Sequence, residues 1–212
     1  MGKIKQGILG GFNGTTGSVV GASWKGIAYM RGKAQSIKNP RTASQQENRT
    51  RFGSISDFLS KCLVAVRLGF AGLAVKKSPF NVAVTKNMDG QLHDGESLNP
   101  QYAIFSDGNM YPFVGGSVAL GTNQLDVTLT LPTTSTETHK VCLVASFLDD
   151  SEKVVWVQTS TVAVSSTGTS LSASIPLPSG IDYAKAQVSA FRYDDVAKDA
   201  SPTTYIGDYT PE

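Results

Sequence analysis

The sequence predicts an α+β protein in which a glycine-rich N-terminal β arm and a helix precede an antiparallel, immunoglobulin-like β-sandwich. Glycine is dense before residue 38, apolar residues recur at helical spacing between 42 and 75, and short alternating runs fill 101–212. With 212 residues, 40% of them hydrophobic, the chain can bury a core without disulfides or metals. We therefore expect an arm at 1–38, a basic helical region and linker at 39–100, and a β-sandwich domain at 101–212.

The arm is rich in glycine, which within residues 7–31 occurs at positions 7, 10, 11, 14, 17, 21 and 26. Glycine at this density costs backbone entropy and contributes no side chain to a core. Short β-type runs at 18–20 and 26–30 predict hairpins, and Trp24 and Tyr29 are among the large side chains to be covered. A segment of this composition is not expected to fold alone, so we expect it to lie against a partner.

The helical region begins with a capping pattern. Thr42 followed by Gln45 allows the hydroxyl to accept a first-turn N–H and the amide to reach back. Four apolar residues then follow at spacings of 4, 3 and 4, which is one face of an α-helix: Ile55, Leu59, Cys62 and Val66. Three more widen this face: Phe52, Leu63 and Phe70. A second short element is expected to begin near Pro79.

The last zone carries strand patterns. Residues 125–131 alternate apolar and polar without a fault, which predicts one buried and one solvated face. Residues 141–148 are apolar on both faces, as is typical of a central strand. Other strands are expected at 102–105, 153–159, 161–165, 171–177, 186–193 and 203–207. The cysteine and tryptophan spacing of antibody domains is absent, so the immunoglobulin-like prediction concerns architecture alone.

Charge is distributed unevenly along the chain. Residues 1–86 hold 14 Lys and Arg against two acids, a net +12, whereas residues 87–212 hold five against 15 acids, a net −10. This split predicts a polyanionic partner for the N-terminal half or head-to-tail contact between copies; the plainer alternative is a basic helix face in solvent. The residues expected to contact another subunit or a polyanion are Trp24, Arg31, Lys33, Lys38, Arg41, Arg49 and Arg51.

No pattern indicates a reaction. The glycine run lacks the lysine of a phosphate-binding P-loop, and no Gly-x-Ser-x-Gly motif occurs. His93 and His139 are the only histidines, and neither lies in a metal-ligand pattern. The acidic pairs at 149–150 and 194–195 are interpreted as solvated loop charge. We therefore expect no enzymatic activity, no catalytic residue, no metal and no cofactor.

The cysteines and the apolar runs bear on location. Cys62 and Cys142 are expected to be free thiols, because residues 1–11 lack the apolar stretch of a signal peptide. The run at 63–75 is interrupted by Arg67 and is shorter than the about 20 residues of a membrane-spanning helix, so no membrane contact is expected. We expect the protein in the cytoplasm, or in a virion assembled there if a phage encodes it.

Two motifs carry a resemblance that covers nearly the whole chain. GGFNGTTGSVVGASWKG at 10–26, with Arg31 after it, and the P-x-T-x-x-Q-x-x-x-R-x-x-F pattern at 40–52 resemble a Bacteroidota protein family of unknown function. The tail at 205–209 is similar to the same family more weakly. The segment NPRTASQQENRTRF at 39–52 also resembles segments of presumed phage structural proteins. Neither resemblance implies an activity, a cofactor or a catalytic residue.

The leading hypothesis is a non-enzymatic structural subunit of a self-assembling particle, from a phage or derived from one. The N-terminal arm and helix would mediate assembly as a homo-oligomer or with other virion subunits. The alternative is a cellular binding module whose β-sandwich recognises a carbohydrate or a protein. A third hypothesis is non-specific nucleic acid contact by the basic N-terminal half, which predicts strong dependence on salt.

Overall fold

A computed structural model of the chain describes residues 3–4, 11–24, 26–36, 39–94, 97–135, 138–165 and 168–211. The chain forms two compact units, Met1–Ala43 and Ser44–Glu212.

The N-terminal unit contains a four-stranded antiparallel sheet in which the strands follow one another in chain order. Its strands are β1 Lys3–Ile4, β2 Phe12–Thr16, β3 Val19–Trp24 and β4 Ile27–Gly32. The turn residues Gly17 and Gly26 have φ of 56° and 87°, which glycine adopts without strain. The hairpins predicted from the runs at 18–20 and 26–30 are therefore confirmed.

Three helices begin the second unit: α1 Ala43–Lys61, α2 Leu63–Gly69 and α3 Pro79–Met88. The predicted apolar helix face is confirmed, because all four of its residues are fully buried: Ile55, Leu59, Cys62 and Val66. Phe52 departs from it and is 53% exposed. The element predicted near Pro79 is α3, where the Ser78 hydroxyl accepts the Asn81 N–H at 3.2 Å and Pro79 fixes the first turn.

Ten strands and a 3₁₀ turn follow among the described residues. They are β5 His93–Asp94, β6 Ser97–Leu98, the 3₁₀ turn Pro100–Tyr102, β7 Gly115–Leu120, β8 Gln124–Ser135, β9 Thr138–Leu148, β10 Val154–Ser165, β11 Gly168–Pro176, β12 Lys185–Asp194, β13 Asp199–Ala200 and β14 Thr204–Tyr209. A five-stranded sheet runs β10-β9-β12, with β13 and β14 both pairing with β12. A three-stranded sheet runs β11-β8-β7, and β5 pairs with β6.

Two hydrophobic clusters cover the two faces of the five-stranded sheet. Cys142, Val144 and Phe191 pack into a cluster with the three helices. The alternate residues of β9 and β12 pack with β8 and β11 of the three-stranded sheet. The expectation that 141–148 forms a central strand is confirmed, and burial of both faces explains why this run is apolar at every position except Ser146.

The prediction of an immunoglobulin-like β-sandwich at 101–212 is wrong, although the chain does combine helices with strands. A sandwich of two sheets exposes the outer face of each sheet, whereas here helices cover one face of the five-stranded sheet. Strands predominate over helices in the described chain. The helices and the sheet therefore share one core.

Individual strands also differ from their predictions. The strand expected at 102–105 is absent, because the chain there leaves the 3₁₀ turn as an extended loop. The strands expected at 153–159 and 161–165 form one strand, β10, with a bulge between Val154 and Trp156. Strand β7 was not predicted, because Gly115 and Gly116 interrupt its alternation.

Candidate assembly surface

One face of the N-terminal sheet presents apolar and basic side chains together. Residues directly opposite each other on antiparallel strands share a face. Trp24 lies opposite Ile27, Ala22 opposite Tyr29 and Val20 opposite Arg31, so all six residues lie on one face. Trp24 is 68% exposed and Ile27 71%. We call Trp24, Ile27, Tyr29 and Arg31 the arm face.

The N-terminal unit has no core of its own among its described residues. The buried hydrophobic residues of the described chain begin at Ile55, so every described apolar side chain before it is partly or fully exposed. Gly21 is buried, because the Phe12 ring and carbonyl oxygen occupy the space that its side chain would fill. The sheet is therefore held by backbone hydrogen bonds and a few close contacts rather than by buried side chains.

Strand β4 is an edge strand of this sheet within the described residues, and all six of its residues are exposed. The Lys33 N–H donates to the Ser18 carbonyl at 2.7 Å. Because hydrogen-bonded positions alternate along an antiparallel strand, the odd-numbered residues of β4 direct their backbone N–H and C=O groups toward β3. Ala28 and Met30 therefore direct their N–H and C=O groups away from the sheet. An exposed apolar edge of this kind favours contact with another chain.

The two units carry net charges of opposite sign. Residues 1–43 contain seven Lys and Arg and no acid, whereas residues 44–212 contain 12 Lys and Arg against 17 acids. The N-terminal unit thus has a formal charge of +7 and the second unit −5. The two units have the charges expected of complementary surfaces.

The seven residues singled out in the sequence fall into two groups. Trp24, Arg31 and Lys33 belong to the N-terminal sheet, with Trp24 about 13 Å along the strands from Arg31. Arg41 has a left-handed backbone, φ 47°, just before α1, and Arg49 is exposed on α1. Lys38 lies outside the described residues.

Arg51 differs from the other basic residues because it is half-buried. Its Nη2 donates to the Gly90 carbonyl at 3.1 Å and links α1 to the turn after α3. Arg51 and Arg49 are two positions apart and so point to different sides of the helix. This contact gives Arg51 a role in holding the second unit together.

The metal-ligating side chains of the described residues do not form a metal site. No group of three or more His, Cys, Asp or Glu side chains among them is arranged to hold a metal ion. Both cysteines are free thiols, as predicted, and both are buried. Burial raises the pKa of the Cys62 thiol to about 12, despite the nearby Lys61, and it raises the pKa of Cys142 as well.

A cleft in the second unit was missed by the sequence analysis. It has a volume of about 150 Å³ and is lined by the loop at 97–101, the end of β9, the β9–β10 turn and the start of β12. Asp149, Glu152, Lys185 and Gln187 contribute polar side chains to it. Gln187 is only 6% exposed, and its Oε1 accepts no hydrogen bond from any described group. No sequence motif marks Gln187, which sits within an ordinary strand pattern.

A larger cavity, of about 540 Å³, lies near the end of α2, but its carboxylates are already engaged. Asp107 pairs with Lys86 at 2.7 Å, and Asp199 Oδ1 accepts the N–H groups of Asn109 and Ala200. These bonds indicate a structural role for both carboxylates.

None of the helices within the described residues combines the length and the apolar character of a membrane span.

Residues 11–207 match a family described as "Family of unknown function (DUF6266)". Because the match covers most of the chain, the chain belongs to this family. Neither the curated proteins nor the solved structures include a match to the chain.

Proposed function

We propose that this member of the DUF6266 family is a non-enzymatic structural subunit of a self-assembling particle, and that its N-terminal unit is the element that docks onto neighbouring subunits. The observation that carries the proposal is the arm face: exposed Trp24, Ile27 and Tyr29 lie beside Arg31 on a sheet without a core of its own.

Burial against a neighbour would stabilise such a sheet. Burying a large apolar side chain contributes about 1.5–3 kcal/mol, so covering the arm face offsets part of the entropy of ordering a glycine-rich segment. The charge of +7 favours a partner surface of opposite sign. Apolar contact and opposite charge would both supply affinity, and charge would also select the partner.

The assignment to a phage particle, or to one derived from a phage, is the finer part of the proposal. It rests on the resemblance of residues 39–52 to segments of presumed phage structural proteins. Such a subunit would assemble in the cytoplasm of the host and remain in the virion. Packaged nucleic acid is a further polyanion that the basic unit could meet there.

The test is the mass of the purified full chain by size-exclusion chromatography with light scattering over a range of concentrations. We expect species larger than the 22.4 kDa monomer, growing with concentration. A chain that stays monomeric at every concentration would contradict the proposal and would favour the alternative, a cellular binding module.

A further inference from the structure

The cleft at the end of β9 contains a hydrogen-bond acceptor that no described donor satisfies. Gln187 lies on β12 opposite Ser146 and Asp208, on the face of the sheet that also carries Phe191. Its side chain is buried and its Oε1 lacks a hydrogen bond to any described group. A buried acceptor left in this state costs about 1–3 kcal/mol, which a donor entering the cleft would remove.

The surroundings of that acceptor favour a cation. Asp149 and Glu152 line the same cleft, where Asp149 Oδ1 already accepts the N–H groups of Ser151 and Lys153 at 2.9 Å. Asp150 and Asp182 belong to the same end of the sheet, because Leu148 pairs with Lys185 in the β9–β12 register. The basic side chains of this end are Lys153 and Lys185, and Lys185 already forms an ion pair with Asp208. The end of the sheet is therefore acidic, and Glu152 is exposed there.

The size of the cleft restricts the ligand. Sites for drug-sized molecules have volumes of about 300–1,000 Å³, whereas this cleft has about 150 Å³. It fits the head of one side chain. A guanidinium has five donors in a planar fork and can donate to a carboxylate and an amide oxygen at once, which an ammonium does with less geometric specificity.

We propose that this cleft receives the guanidinium of Arg31 from a second copy of the chain. The inference rests on the proposed function, since it names the partner and the contact of the assembling unit. Arg31 is exposed on the arm face, in a unit of +7, and the cleft lies in a unit of −5. The Arg31 guanidinium donates to the Glu152 carboxylate and to Gln187 Oε1, while Trp24 and Ile27 cover the rim.

The contact would be head-to-tail, because the arm face and the cleft are different surfaces of the same chain. Such heterologous interfaces extend into rings or filaments, in contrast to a two-fold dimer that uses one patch twice. Each interior copy would then use its arm face and its cleft at the same time. A variant defective in one surface keeps the other surface intact.

Complementation between two variants tests this geometry. Arg31→Glu removes the arm-face cation, and Glu152→Arg reverses the charge of an exposed cleft residue. Each variant alone should associate about tenfold or more weakly than the natural chain in sedimentation velocity. Their equimolar mixture should recover association, because Glu152→Arg retains the arm face and Arg31→Glu retains the cleft.

The controls reverse charge elsewhere on the surface. Lys77→Glu matches the charge change of Arg31→Glu, and Glu47→Arg matches that of Glu152→Arg, both at exposed positions of the second unit. Both controls should associate as the natural chain does. Gln187→Met removes the amide at similar volume and should weaken association about tenfold. Circular dichroism checks that this variant folds. If Gln187→Met does not fold, the result for Glu152→Arg, at an exposed position, decides.

Association that survives Glu152→Arg, or a mixture that does not associate, would overturn the Arg31–cleft contact while leaving self-assembly intact. A natural chain that is monomeric at every concentration would overturn the proposed function itself.

Discussion

Asn87 shows how one buried polar residue positions a loop. It is fully buried on α3, and its Nδ2 donates to the carbonyls of Ala83 and Ile104 at 2.9 and 2.8 Å. Its Oδ1 accepts the Ile104 N–H at 2.9 Å. The loop at 103–109 has no strand partner for these groups, so the amide replaces the hydrogen bonds that a sheet would give.

Replacing Asn87 by Ala should lower the free energy of unfolding by about 2–4 kcal/mol, because both backbone groups of Ile104 lose their partner in the core. Chemical denaturation measures this. Asn81→Ala is the matched control, at an exposed position of the same helix, and should change stability by less than about 0.5 kcal/mol. Equal effects of the two substitutions would contradict the role given to Asn87.

The two cysteines are apolar core residues in this fold. Cys62 lies between α1 and α2, Cys142 lies on β9, and both belong to the cluster under the helices. Because burial raises the pKa of Cys62 from 9.0 to about 12, the folded protein holds this thiol protonated. Its contribution to stability is present below about pH 9 and is lost as the pH rises toward about 12.

The native protein should therefore resist thiol reagents. At about pH 8 both thiols should react with a disulfide reagent only as fast as the protein unfolds, and both should react at once in denaturant. Absorbance of the released reagent follows the reaction. Rapid modification of either cysteine in the native chain would show that the cluster under the helices is open to solvent.

Among the elements, the β2–β3–β4 sheet depends on close backbone approach. A side chain at Gly21 would bring a Cβ atom to 2.2 Å from the Phe12 carbonyl oxygen and to 2.7 Å from its ring. A Cβ atom added at Gly32 would have no atom within 4 Å of it. Both glycines lie in the same sheet, but only at Gly21 is there no room for a side chain.

Gly21→Ala should loosen the N-terminal sheet, and Gly32→Ala should not. Hydrogen–deuterium exchange over residues 12–32 measures the difference, with faster exchange expected for Gly21→Ala. The exchange of β9 and β12 should be unchanged in both variants, because those strands lie in the other unit. Equal exchange in the two variants would indicate that Phe12 does not pack on Gly21.

The exposed apolar side chains of the arm face should contribute to self-association. Trp24→Ser combined with Ile27→Ser should weaken self-association more than tenfold, because two exposed apolar side chains lose their burial at the interface. The free energy of unfolding should be unchanged, since neither residue is buried in the single chain. Val196→Ser, at a side chain that is 90% exposed in the second unit, is the control and should leave association unchanged.

Local pattern predicted some elements and not others, for identifiable reasons. The buried face of α1 and α2 and the strand at 141–148 follow from local sequence pattern, because each element buries the side chains that define its pattern. Strand β7 and the loop at 103–109 depend on partners that are not adjacent in the sequence, Leu129 for Gly116 and Asn87 for Ile104. The acceptor in the cleft could not be predicted, because an unpaired Gln187 Oε1 is a property of the packed structure.

For the whole molecule, the two units carry opposite net charge, although residues 44–86 of the second unit are themselves basic, with seven Lys and Arg against two acids. The N-terminal unit has seven basic residues and no acid, and the second unit has an excess of five acids. Ion pairs within the second unit join Lys86 to Asp107 and Lys140 to Asp195, so part of its basic charge is neutralised internally. The remaining acidic surface is what a basic unit from another copy would contact.

Association of copies of the chain through these opposite charges should depend on ionic strength, which sedimentation velocity of the full chain at low and high salt measures. We predict assemblies above 22.4 kDa at low salt that dissociate as salt screens the attraction, with a Debye length falling from about 30 Å at 0.01 M to about 3 Å at 1 M. A chain that remains monomeric at low salt, or an assembly indifferent to salt, would contradict the account.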